Sequence, residues 1–232
     1  MDILPFETEL FYAEHEFNAP YQLCNSDCET MGVGELLALA EVDPSELLAL
    51  PLGYTESAGN PALRAQIAAR HEWVAPEQVL VLGTPIEGIY LTGRVLLEPG
   101  DEVVVLSPAY DALYNLFAHI VGVEHVRQWW MRPTAVGTPS SWQLDWEALP
   151  DLLSPQTKLI VVNFPHNPTG FLPTPDELAQ LVAICAQQGI WLFCDEMYFG
   201  LIHNGTQAIP SAADMGYERA IVLSGLSKTH GL

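Results

Sequence analysis

The chain has 232 residues, of which 49% are hydrophobic and 16% are charged. This composition supports a large hydrophobic core and excludes a disordered chain, and four cysteines over this length exclude a disulfide-stapled miniprotein. Twenty-nine acidic residues against eight basic ones give a formal net charge of −21. Nucleic acid and anionic membranes are therefore not expected as partners. Only two lysines, Lys158 and Lys228, are candidates for amine chemistry.

The N-terminal sequence has no basic n-region, and nowhere do eighteen apolar residues follow one another. We therefore expect no signal peptide, no membrane span and a cytoplasmic location. Cys24 and Cys28 lie four residues apart, but no second Cys/His pair of similar spacing accompanies them. We interpret them as reduced structural thiols rather than a zinc site.

The first 50 residues have an irregular pattern, with a short amphipathic stretch at 34–40 and a turn-rich segment at 42–45. We interpret residues 1–50 as an N-terminal arm or part of a small domain, and residues 51–232 as the main domain. A helix is predicted from Asn60 to Trp73, because Asn60 is a good N-cap and Pro61 suits the first helical position.

Short apolar runs alternate with helical segments from residue 79 onward. The continuous apolar runs are typical of a mostly parallel sheet with helices on both faces, so we predict an α/β three-layer sandwich. We interpret Pro133–Ser141 as a surface loop within it. Strands are predicted at Val79–Leu82, Glu102–Leu106, Leu159–Asn163, Ile190–Cys194 and Ala220–Leu223. Helices are predicted at Ile86–Leu97, Tyr110–Val121 and Thr174–Gln188, and a further one within Trp142–Leu153.

Polar residues follow several predicted strands, and the carboxyl ends of parallel strands meet at one edge of a sheet. A lysine flanked by hydroxyl residues rather than by charges, as Lys228 is, suits attack on a carbonyl group. A carboxylate at the end of a neighbouring buried strand, as at Asp195, can keep a heteroaromatic nitrogen protonated. An Asn, an Asp, a Tyr and a Lys at this edge favour a pyridoxal phosphate site over a hydrolytic triad.

Three motifs occur in order: Asn167-Pro168-Thr169-Gly170, then Asp195-Glu196-Met197-Tyr198 after an apolar strand, then Ser227-Lys228. Gly53-Tyr54 and Pro99-Gly100-Asp101 lie upstream of them. The ordered set resembles the fold-type I pyridoxal-phosphate enzymes of the class I/II aminotransferase family. The resemblance extends from about residue 23 to the last residue.

The resemblance implies pyridoxal 5'-phosphate (PLP) as the cofactor and assigns roles around its ring. Lys228 would be the catalytic residue, which binds the cofactor covalently as a Schiff base and moves the proton at the substrate α-carbon. Asp195 would pair with the pyridine nitrogen, and Asn167 and Tyr198 would hydrogen-bond the ring hydroxyl oxygen. Tyr110 would stack on the ring face.

The resemblance also implies a phosphate site and a partner subunit. Thr84, the backbone of Ile86 and Ser227 would hold the phosphate at the start of a helix, where the dipole favours an anion. Ser224 is a further candidate donor. Tyr54 corresponds to a position that reaches the phosphate of the partner subunit in relatives, so a homodimer is expected.

Two positions and the chain end depart from the family pattern. Pro85 stands where relatives commonly use the N–H of a small residue, and Gly225 stands where many have Ser or Thr. The sequence stops four residues after Lys228, whereas relatives continue with an arginine-containing segment, an antiparallel strand and a small domain. We therefore expect a C-terminally truncated large domain without the small C-terminal domain.

The expected function is transfer of an amino group between an amino acid and a 2-oxo acid. One alternative keeps the cofactor but changes the bond that breaks at Cα or Cβ, as in a lyase, racemase or decarboxylase. The other is a catalytically inactive fragment that needs a complementary chain. A nicotinamide-binding domain is disfavoured, since no predicted strand is followed by G-x-G-x-x-G.

Overall fold

The computed structural model describes residues 3–134, 142–201 and 208–232. Its helices are α1 (Glu7–His15), α2 (Val33–Leu39), α3 (Pro44–Leu48), α4 (Pro61–Ala68), α5 (Pro85–Leu96), α6 (Asp111–Val121), α7 (Leu149–Leu152), α8 (Pro175–Gln188) and α9 (Ser227–His230). Its strands are β1 (Glu102–Ser107), β2 (Val126–Trp130), β3 (Arg132–Pro133), β4 (Trp142–Gln143), β5 (Thr157–Asn163), β6 (Trp191–Asp195) and β7 (Ala220–Leu223).

Five of these strands form one parallel sheet in the order β2-β1-β5-β6-β7. Its central strands are apolar on both faces because helices cover both. On one face of the sheet, helix α8 buries Leu181 and Cys185. On the other face, α5 buries Ile89 and α6 buries Phe117. The predicted α/β three-layer sandwich with a mostly parallel sheet is therefore confirmed.

Local signals fix the ends of several predicted helices. Thr174 and Glu177 form a capping box at the start of α8, and Gly189 ends that helix in the left-handed region at φ 67°. Asn60 caps α4 as predicted, accepting hydrogen bonds from two backbone N–H groups. The helix ends at Ala68 and not at Trp73, since the next residues turn towards a contact between His71 and Asp214.

One predicted strand is wrong. Val79–Leu82 makes a backbone hydrogen bond from Val81 N to Ala58 O at 3.0 Å but joins no ladder among the described strands, and Leu80 is 56% exposed. The helix predicted within Trp142–Leu153 is the four-residue helix α7, and the short strand β4 precedes it. Asp145 redirects the chain between them, because its carboxylate accepts from Ala148 N and pairs with Arg132.

Several elements were missed by the sequence patterns. Strand β2 lies at an edge of the sheet, where Arg127 interrupts the apolar run and pairs with Glu102 at 2.6 Å. The predicted turn at 42–45 starts helix α3, since the Asp43 carboxylate accepts from Ser45 N at 2.8 Å. Most of the predicted loop, residues 135–141, lies outside the described residues. None of the described helices is long and apolar enough to span a membrane.

Candidate active site

The carboxyl ends of β5, β6 and β7 lie side by side, because Asn163 pairs in register with Asp195 and Asp195 with Leu223. The segments after β1, β5 and β7 carry Tyr110, Asn167 and Lys228 and leave the sheet at this edge, where Asp195 ends β6. The parallel register therefore brings these four residues to one edge, whereas Pro99-Gly100-Asp101 precedes β1 at the opposite edge.

Asp195 ends β6 with a carboxyl group that is almost completely buried, the residue being 7% exposed. Its Oδ1 accepts a hydrogen bond from Met197 N at 3.0 Å, and its backbone oxygen accepts one from Asn163 Nδ2 at 2.7 Å. Burial raises the pKa of the Asp195 carboxyl to about 6. Within the described ranges, no lysine, arginine or histidine forms an ion pair with it. The Asp195 carboxylate is therefore suited to form an ion pair with a protonated ring nitrogen.

The loop from Phe164 to Gly170 follows β5 and carries Asn167. The backbone N of Asn167 donates to Asn163 Oδ1 at 2.7 Å, and the loop is closed by Gly170 N donating to His166 O. His166 is buried, and burial lowers its pKa to about 4, so its ring is neutral. Its Nδ1 lies 2.8 Å from Thr169 Oγ1, which makes His166 a support of the loop.

Tyr110 and Tyr198 are both half-buried at this edge, and the negative charge of Asp195 contributes to raising the pKa of both. Burial is the largest cause in each case, followed for Tyr110 by a hydrogen bond from its hydroxyl to Glu9 Oε1 at 2.6 Å. The Tyr198 hydroxyl hydrogen-bonds Ser26. Both phenols therefore stay neutral and able to donate hydrogen bonds at physiological pH.

The N-terminal segment contributes side chains that the sequence patterns did not indicate. Thr8 N donates to the Asp111 carboxylate at 2.7 Å, which ties α1 to the start of α6 and lets Glu9 reach Tyr110. Further along, Tyr12 donates to Cys24 O at 2.5 Å, and burial with this bond raises its pKa to about 12. The contacts of Thr8 and Glu9 join residues about 100 positions apart in the sequence, so no local motif could reveal them.

The proposed phosphate site lies at the start of α5. Thr84 caps this helix, with its Oγ1 3.4 Å from Glu87 N, and the Glu87 carboxylate accepts from Gly83 N at 3.0 Å. Pro85 has no N–H, so the backbone N–H of Ile86 is the first donor within the helix. The structure thus places Thr84 and Ile86 together at a helix N-terminus.

Gly225 lies close to Met197 in the loop after β7. A Cβ atom at Gly225 would lie 2.9 Å from Met197 Cε, so a serine or threonine there would require the flexible end of the Met197 side chain to shift. Ser224 and Ser227 flank this glycine and are exposed. The close approach fits the β7 loop against the Asp195–Tyr198 turn.

Lys228 lies in α9, directly after this loop, and is half-buried. Lys158 is the second residue of β5 and therefore lies at the opposite end of the sheet from the candidate site. Tyr54 is not brought to this edge by any described contact, and its side chain is fully exposed at 109%. Lys228 is thus the lysine at the carboxyl edge.

The profile of the family of class I and II aminotransferases matches residues 50–232. Arginine–pyruvate transaminase AruH of Pseudomonas aeruginosa is 31% identical over 191 residues, which cover 80% of this chain and 47% of AruH. Capreomycidine synthase of Streptomyces vinaceus is 34% identical over 221 residues, or 94% of this chain and 54% of the synthase. The crystal structure of a PLP-dependent aminotransferase from Streptococcus suis superposes with a TM-score of 0.88 and 28% identity, over 100% of this chain and 60% of its own.

The parallel sheet and its two helical layers match the large domain of the fold-type I PLP enzymes. The chain belongs to the class I and II aminotransferase family. It spans about half the length of the curated relatives that it matches.

Proposed function

We propose that the chain binds PLP at the carboxyl edge of its sheet and is the cofactor-binding part of an aminotransferase acting on an amino acid and a 2-oxo acid. The observation that carries this proposal is the buried carboxylate of Asp195, which has no cationic partner among the described residues and lies on the edge that also bears Lys228. When bound, PLP supplies an electron sink for the bond that breaks at the substrate α-carbon.

The residues around Asp195 would bind and orient the ring. The Asp195 carboxylate would keep the ring nitrogen protonated, and its burial would strengthen that pairing. Asn167 and the neutral Tyr198 hydroxyl would hydrogen-bond the ring hydroxyl oxygen, while Tyr110 would stack on one face. The hydrogen bond from Tyr110 to Glu9 supports this placement, because it fixes the phenol ring from the side of the N-terminal segment.

The phosphate would lie at the N-terminus of α5, bound by the Thr84 hydroxyl and the Ile86 N–H. Ser224 and Ser227 are exposed on the neighbouring loop and would supply further donors. The Lys228 amine would hold the cofactor covalently and, once released by substrate, accept and return the proton at the substrate α-carbon.

The test is the first half of the transamination, in which the PLP-loaded chain takes the amino group from an amino acid and releases a 2-oxo acid. Incubation with a panel of amino acids, including L-arginine and L-aspartate, should release about one equivalent of 2-oxo acid per bound cofactor, because no second substrate regenerates it. The released acid is measured by chromatography, with Lys228→Ala as the inactive control. Cofactor binding without any 2-oxo acid would reject transamination, and the absence of any product from the amino acid would favour a fragment that needs a complementary chain.

A second candidate is a PLP-dependent reaction at Cα or Cβ other than transamination, and the similarity to capreomycidine synthase favours it. The same assay separates the two candidates. A lyase would release ammonia together with product over many turnovers, while a racemase or decarboxylase would produce no 2-oxo acid. The cytoplasmic location stays a prediction.

We also propose a homodimer, supported by the exposed apolar side chains of Leu48, Leu52 and Tyr54 on one short segment. Leu52→Glu should shift the chain from dimer to monomer in analytical ultracentrifugation, because a charge there would be buried in the interface. Val123→Glu, at another exposed apolar position, is the control and should leave the dimer intact. A wild-type chain that stays monomeric at every concentration would contradict the proposal.

A further inference from the structure

A second buried carboxyl lies beside Asp195 and takes no part in the proposed cofactor contacts. Glu196 is 3% exposed, and its Oε1 accepts a hydrogen bond from Ala212 N at 2.7 Å. The side chains of Ser211 and Cys194 also hydrogen-bond this carboxyl group. Three donors from two separate segments therefore converge on one buried acid.

Glu196 is also bound through its backbone. Its N–H donates to Leu223 O at 2.8 Å, and its carbonyl oxygen accepts from Phe199 N at 2.9 Å. The first bond joins the end of β6 to the end of β7, and the second closes the turn that contains Tyr198. The side chain and backbone of Glu196 thus connect the turn after β6, the end of β7 and the turn of residues 211–214, which contains the 3-10 helix Ala212–Asp214.

The 211–214 turn is itself anchored on its far side. The Asp214 carboxylate lies 3.0 Å from His71 Nδ1 and accepts from Glu72 N at 2.7 Å, just beyond the end of α4. Ser211, at the other end of the turn, is 1% exposed and its Oγ accepts from Ala213 N. The turn is therefore a fixed support against which the Glu196 carboxyl is held.

Keeping this acid buried is costly, since burial raises the pKa of Glu196 to about 7 in spite of its donors. A hydrophobic residue would fill the same space without that cost. A buried acid at this position is explained if the Glu196 carboxyl is needed to fix the position of Asp195.

We propose that Glu196 is a positioning residue for Asp195: its carboxyl clamps the end of β6 to the 211–214 turn and so holds the Asp195 carboxylate where a ring nitrogen would meet it. This inference rests on the proposed PLP site. The position of Asp195 is set on one side by Asn163 and Phe164, whose N–H groups donate to its backbone oxygen, and on the other side by Glu196.

The test compares two ligands that differ only at the ring nitrogen. PLP and its carbocyclic analogue, in which CH replaces the ring nitrogen, are titrated into the full chain and into Glu196→Gln. If Glu196 acts through Asp195, the variant should bind PLP about tenfold more weakly, while its affinity for the analogue should stay unchanged, since the analogue has no nitrogen for Asp195 to meet. Glu218→Gln removes an exposed acid before the start of β7, at the end of that strand away from Glu196, and is the control.

Ser211→Ala is the second variant, because it removes one donor and leaves the carboxyl in place. It should reduce PLP affinity in the same selective way but to a smaller extent. An equal loss of affinity for both ligands would mean that Glu196 has a purely structural role, and this would overturn the inference. An unchanged affinity for both ligands would overturn it as well. If the wild-type chain binds neither ligand, the proposed PLP site itself fails.

Discussion

Lys228→Ala is expected to abolish covalent attachment of PLP completely, because no other amine lies at the carboxyl edge among the described residues. The variant should still bind the cofactor without a covalent bond, through the phosphate donors and Asp195. Its fold should be unchanged, since α9 is held by backbone bonds such as His230 N to Leu226 O and not by the lysine side chain. Borohydride reduction followed by intact mass measurement tests this result.

Lys158→Ala is the matched control for this prediction. Lys158 is exposed on β5 at the opposite end of the sheet, so its removal should leave the yield of reduced adduct at the wild-type value. An adduct that persists in Lys228→Ala and disappears in Lys158→Ala would mean that the cofactor binds elsewhere.

Asp195→Asn is expected to weaken PLP binding by about 100-fold, the effect of breaking a buried charge pair by removing one partner. The amide keeps the shape of the carboxyl and can still accept the hydrogen bond from Met197 N. Equilibrium titration with PLP measures the loss. Asp176→Asn, at an exposed position in the first turn of α8, should bind as the wild type does.

The same variant should change the pH dependence of unfolding in the cofactor-free chain. The folded-state pKa of Asp195 is about 6 against an ordinary 3.8, so the folded chain binds more protons between these values and loses stability as the pH rises through 6. At pH 8 the cost is about 3 kcal/mol. Asp195→Asn should therefore be more stable than the wild type at pH 8 in urea unfolding, with the difference shrinking below pH 6. A less stable variant at pH 8 would contradict this account of Asp195.

The fold could be predicted where the residues of a segment by themselves determine its secondary structure. The centre of β5, residues 159–162, is continuously apolar because both faces of the sheet are covered, and α8 carries its own caps at Thr174 and Gly189. The patterns failed where a distant partner decides the structure. Val79–Leu82 is apolar but has no ladder among the described strands, and β2 is a strand because it pairs with β1, with Arg127 bound to Glu102.

The candidate site also contains residues that the sequence could predict and residues that it could not. Asp195 and Lys228 follow strands directly, so the parallel register alone brings their segments to one edge. Glu9 and Ser26 reach Tyr110 and Tyr198 through the packing of the N-terminal segment, which no local spacing records. The close approach of Gly225 to the Met197 side chain likewise joins two separate loops, which no local spacing records.

The central claim is that this chain holds PLP through Lys228. The most direct measurement is to incubate the wild-type chain with PLP, reduce with borohydride, digest, and locate the modified residue by mass spectrometry. The account predicts one modified peptide, with the adduct on Lys228. A modification found on Lys158 or the N-terminal amine instead, or no adduct at all, would contradict it.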